Sequence, residues 1–90
     1  MTELLDTAVE VRLDPTGALV AFRRQGSGGV PSSHPWRTVE RTTARWVVDT
    51  DWWREPARRE YRRCLIEGDE CVELALDLDT GAWTLSRRYD

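Results

Sequence analysis

The chain has 90 residues, 40% of them hydrophobic, and sets 13 arginines, with no lysine, against 16 acids for a net charge of −3. That length gives one domain, 1–90, near the lower limit of chains that fold without disulfides or metals. A pI near 5.1 argues against general affinity for nucleic acid. The two cysteines, Cys64 and Cys71, are too few for a disulfide framework and too widely spaced for CxxC redox chemistry.

The first segment, "MTELLDTAVEVRLD", has acids where a secretory signal carries basic residues, and it lacks a long apolar run. A cytoplasmic chain without membrane association is the expectation. Val9, Val11 and Leu13 then alternate, "DPTG" supplies a turn, and Ala18, Val20 and Phe22 alternate in return. This predicts a hairpin pairing Leu13 with Ala18, Val11 with Val20 and Val9 with Phe22. Residues 25–35, "QGSGGVPSSHP", read as a flexible surface loop with a poorly ordered tip.

Next, "WRTVERTTARWVVD" is rich in Thr, Val and Trp, which favours a long strand. No single alternation holds from Trp36 to Val48, so a bend is expected within it. Residues 51–57 fit one helical turn capped by Asp51 and limited by Pro56. In "EPARREYRRC", Arg59, Tyr61 and Arg63 alternate against Arg58, Glu60 and Arg62, as on a solvated edge strand blunted by charge. A phosphate-binding stripe is the sharper reading of the same pattern.

A hairpin about Gly68 and Asp69 would set Leu65 opposite Val72, Tyr61 opposite Leu76 and Cys64 opposite Glu73, leaving the thiols diagonal and reduced. Val72, Leu74, Leu76 and Leu78 continue at strict period two. "DLDTGAW" reads as a tight turn, with Asp79 bonding its own backbone and Gly81 at positive φ. Leu78 would then pair with Trp83, Leu76 with Leu85, Leu74 with Arg87 and Val72 with Tyr89. These elements predict an all-β fold: a small, highly curved antiparallel sheet, half-closed into a barrel or roll of about six strands built from two or three hairpins.

Catalytic constellations are not legible. His34 is the only histidine and lies in the Gly/Ser/Pro loop, so nucleophilic catalysis lacks a base and zinc lacks ligands. "GSGG" has no lysine or following helix to make a phosphate loop. The carboxylate pairs Asp49 with Asp51 and Asp77 with Asp79 read as turn and cap residues. The expectation is a protein that is not an enzyme and uses neither cofactor nor metal.

Binding is better supported. Residues 21–63 carry ten arginines against five acids, whereas 64–90 carry two against seven. Either the middle contacts phosphates or the basic and acidic strands pair with each other. Trp52 and Trp53, adjacent in an extended chain, point to opposite faces, so one should be partly exposed. Arginine stems could cover that ring; otherwise the surface of Trp52, Trp53, Arg54, Arg58, Arg59, Tyr61 and Arg63 suits a protein partner or single-stranded DNA.

The order "RWVVDTDWWRE", an Arg/Tyr strand and "LDLDTGAWTLSRRYD" resembles a small actinobacterial domain family of unknown function. It is similar to the C-terminal region of actinobacterial Y-family polymerase-like mutasome proteins of SOS mutagenesis. The resemblance covers residues 46–90, extends weakly to "VEVRLDPTGALVAFRR", and departs at 25–35. It implies a non-enzymatic adaptor in DNA-damage tolerance, an accessory to translesion synthesis, whose partner is a protein such as a polymerase-like mutasome component. Direct single-stranded DNA binding is the alternative, and a structural β domain of unrelated function is the third reading.

Overall fold

Apolar side chains at alternate positions and turn residues between them make every described element a strand. The computed structural model describes the backbone of residues 2–50 and 57–89, and the side chains of residues 6–49 and 58–89. Its strands are β1 (Thr2–Leu13), β2 (Leu19–Arg24), β3 (Arg37–Thr50), β4 (Ala57–Ile66), β5 (Glu70–Asp77) and β6 (Trp83–Tyr89). Each pairs antiparallel with its neighbour in sequence, and β1 pairs with β6 to close the barrel. The chain is therefore all-β, as the alternation predicts, and the β1–β6 ladder carries the curved sheet from half-open to closed.

Inside lies one core: Val9, Leu19, Phe22, Val39, Cys64, Ile66, Val72, Leu74 and Leu85, with Val11 and Trp83 packed against it. Burial of these side chains is the main force holding so small a domain, at about 1.5–3 kcal/mol for each large one.

The hairpins form where expected but in other registers. In β1–β2, Val11 pairs with Phe22 and Val9 with Arg24, two residues from the expected alignment. Asp14 is the cause: its Oδ1 accepts the N–H groups of Thr16 and Ala18, each at 2.9 Å, and the Thr16 hydroxyl, building a longer turn. A register shift beside Leu13 then turns Leu19 into the core and leaves Val20 outside. In β5–β6, Leu76 pairs with Trp83 and Leu74 with Leu85. Here Asp77, not Asp79, holds the turn, accepting the N–H groups of Asp79 at 2.9 Å and Thr80 at 3.2 Å. A shift between Glu73 and Leu74 then sets Glu73 opposite Arg87 and Cys71 opposite Tyr89, where Leu74 and Val72 were expected.

The β4–β5 hairpin slips by one residue. Its connection is Glu67–Gly68–Asp69, with Gly68 and Asp69 both at positive φ (82° and 58°), so Cys64 meets Val72 and Leu65 meets Cys71. A one-residue slip exchanges the faces of a strand. Glu60 and Arg62, expected in solvent, consequently point inward and are buried, while Tyr61 and Leu65 lie outside.

Strand β3 carries the expected bend, as two register shifts against β4, between Val39 and Arg41 and between Thr42 and Ala44. It meets β2 only at Thr38 and Arg37. Residues 25–35 contain no strand; the Ser32 hydroxyl bonds the Arg24 carbonyl and the Val30 N–H bonds the Ser27 carbonyl. The helical turn expected over residues 51–57, with Trp52, Trp53 and Arg54, falls on residues 51–56, outside the described residues, and Ala57 already belongs to β4.

Candidate interaction surface

The outer face of β4 positions three of the residues singled out from sequence. Alternation puts Arg59, Tyr61 and Arg63 on the side away from Cys64 and Ile66, which are fully buried. Across the ladder Tyr61 faces Trp46, and the two rings stack with centroids 5.6 Å apart and planes 14° from parallel. Aromatic pairs so arranged are worth about 0.5–1.5 kcal/mol beyond their burial, which fixes the β3–β4 alignment at this level.

Arg63 lies over both Trp46 and Tyr89, 5.4 and 5.2 Å from the ring centres. One of its terminal nitrogens donates to the Tyr89 hydroxyl at 3.4 Å, and that hydroxyl donates to Glu73 Oε1 at 3.1 Å. The hydrogen bond to Tyr89 raises the Arg63 pKa, and the Glu73 charge adds to it against the cost of burial. Arg87 reaches the other Glu73 oxygen at 3.4 Å. Among the described residues the Arg63 Nε–H, itself buried, has no acceptor.

These groups wall a cleft of about 290 Å³ between Trp46, Val48, Tyr61, Arg63, Glu73 and Arg87. Arg59 lies beyond the cleft on the same face, exposed, opposite Val48 and Asp77. Arg58 belongs to the other face, where it lies 3.7 Å from Asp49 and takes no part. Sequence reasoning missed Trp46, Glu73, Arg87 and Tyr89. The stacking of Trp46 on Tyr61 depends on the β3–β4 register, and the stretch between those strands has no Asn-Gly or Asp-Gly pair from which to read it.

The charges inside the barrel have a structural role. Arg62 Nε donates to Glu60 Oε1 at 2.7 Å, its Nη1 donates to the Gly17 carbonyl at 2.9 Å, and its guanidinium lies 5.3 Å from the Trp83 ring centre. Arg45 grips both Glu60 oxygens, at 2.8 and 3.3 Å. Burial pushes the Glu60 carboxyl up, but hydrogen bonds and charge from Arg62 and Arg45 outweigh it and hold the group below its ordinary pKa of 4.5. The cluster closes one end of the barrel and ties β4 to the β1–β2 turn.

At the other end a cavity of about 160 Å³ has Phe22, Ile66, Val72 and Leu85 among its walls, with Arg37 and Arg88 at the rim. Those arginines are matched by carboxylates: Arg37 by Glu67 and Glu70 at 3.3 and 3.5 Å, Arg88 by Glu70 at 3.7 Å. Trp36 is covered in the way considered for the second indole, with Arg12 and Arg23 lying 4.1 and 4.5 Å from its ring centre.

Both thiols are free. Cys64 is fully buried, and burial foremost raises its pKa against the Thr42 hydroxyl and the Arg62 charge. No group of three or more His, Cys, Asp or Glu among the described residues is placed to hold a metal ion, and no helix among them is long and apolar enough to cross a membrane. Set against protein-family models, curated proteins and solved structures, the chain matches none.

Proposed function

We propose that the chain is a non-enzymatic, cytoplasmic binding module that captures a protein partner on the outer β3–β4 face, as an accessory to DNA-damage tolerance. The observation that carries the binding reading is the Trp46–Tyr61 stack, bordered by Arg63 and the exposed Arg59, along a cleft on the outer face. Aromatic anchors ringed by arginine dominate the energetics of protein interfaces. The link to damage tolerance rests on the sequence resemblance of residues 46–90 to mutasome proteins.

Protein is favoured over single-stranded DNA by two features of the cleft. Trp46 and Tyr61 each have one ring face occupied by the other, which leaves less π surface for a base. The carboxylate of Glu73, held by Tyr89 and Arg87 in the wall of the cleft, offsets part of the arginine charge that would otherwise draw a phosphate. Isothermal titration with a purified Y-family polymerase-like mutasome protein tests the reading. The wild-type chain should bind, and Arg59→Glu should weaken binding at least tenfold without moving the unfolding transition. Binding unaffected by this charge reversal, or an oligonucleotide binding more tightly than the protein, would overturn it.

A further inference from the structure

We infer that the outer rim of β3 from Ala44 to Thr50 is a homodimer interface, at which a second copy adds the same strand antiparallel about a two-fold axis through Val47. After Arg37 and Thr38, β3 pairs with no described strand on the side away from β4. Its first part is protected by two register shifts, which bend a strand away from further pairing. The run Ala44–Thr50 has no such protection. It pairs residue for residue with Arg63–Ala57 and includes Val47 and Val48, 55% and 36% exposed. A regular, β-branched rim of this kind is a template for another strand.

Symmetry and charge select the occupant. In an antiparallel pair, residues opposite one another both aim their N–H and C=O groups at the partner strand or both aim them away, and this direction alternates along the strand. Two identical rims can therefore pair only about an axis that passes through a residue. Centring on Arg45 sets two guanidinium groups against each other, and centring on Val48 sets Val47 against Asp49. Centring on Trp46 sets Arg45 against Val47 and carries Asp49 past the Thr42–Ala44 shift.

Only the Val47 axis, the midpoint of the regular run, is complementary throughout. It pairs Val47 with itself, Val48 with Trp46, Arg45 with Asp49 and Ala44 with Thr50. Arg45 also holds Glu60, yet its side chain remains 63% exposed and can face a second carboxylate. Opposite-charge and apolar cross-strand pairs each contribute to such a ladder. The self-complementary pattern is what an interface between identical subunits requires. The inference is independent of what the outer face binds.

Sedimentation equilibrium of the full chain across the micromolar range should show a monomer–dimer equilibrium, and Val47→Lys, which opposes two ammonium groups at the axis, should be monomeric with the unfolding transition that the wild-type chain shows when diluted to monomer. The register is read by cross-linking in a Cys71→Ser background. Val47→Cys should give a disulfide-linked dimer on mild oxidation, while Val48→Cys, which faces Trp46, should not. A wild-type chain that is monomeric throughout, or cross-linking at position 48 as efficient as at 47, would overturn the inference.

Discussion

Glu60 and Arg62 stand where a small barrel ordinarily places apolar side chains, and their partners decide whether the fold tolerates them. Taking away one member of a buried pair leaves a charge unmatched, at a cost of about 3–5 kcal/mol. Glu60→Ala should thus lower the free energy of unfolding by about that amount in a urea titration, while Glu60→Leu with Arg62→Met should recover much of the loss. Because the folded chain holds Glu60 below its ordinary 4.5, the unfolded chain takes up the proton first, so this stabilisation is complete above that pH and drains away as pH falls through and below it. Asp14 acts in the same direction, its pKa lowered first by the Thr16 hydroxyl and then by the Ala18 N–H. The urea midpoint should accordingly fall on acidification from about pH 6 to about pH 3, and substitution of Glu60 should flatten that dependence. At the thiols, a colorimetric reagent should label Cys71 in the native protein and Cys64 only on unfolding. The sequence showed that Arg59, Tyr61 and Arg63 share a face. It did not show that Glu60 and Arg62 face inward, because a polar residue opposite a polar residue carries no sign of which side is wet.

At the scale of elements, alternation and turn residues suffice to locate the hairpins, and local side-chain chemistry then resets their registers. Asp14 and Asp77 each draw N–H groups onto one carboxylate oxygen and lengthen a turn that Gly and Pro alone would have left tighter. The Glu67–Asp69 connection is one residue longer than a two-residue hairpin turn, and that single residue exchanges the faces of β4. Such differences are a few kilocalories at most, below what residue patterns resolve. Gly68 sits at φ 82°, and a Cβ at this position would meet no heavy atom within 4 Å, so backbone strain alone opposes a side chain there. Gly68→Ala should cost about 1–2 kcal/mol without changing the fold, measurable by thermal unfolding. Asp77→Ala, which releases two N–H groups in an exposed turn, should cost about 1 kcal/mol.

For the whole molecule, the β1–β2 and β4–β5 ladders set acidic end segments of the chain beside its basic middle. The ion pairs Arg23–Glu10, Arg37–Glu67 and Arg37–Glu70 join basic to acidic segments and favour internal pairing over a continuous phosphate stripe. What the barrel leaves outward on β3 and β4 is the Trp46–Tyr61 stack with Arg59 and Arg63 beside it. Closure was not legible from sequence, since β1 and β6 stand at opposite ends of the chain and no local pattern records their pairing. The most direct measurement is an amide and indole NMR titration of the labelled chain with the purified polymerase-like mutasome protein. Shifts should concentrate at the Trp46 indole, Arg59, Tyr61 and Arg63; shifts centred instead on the barrel mouth at His34, Arg37 and Arg88, or none at all, would contradict the account.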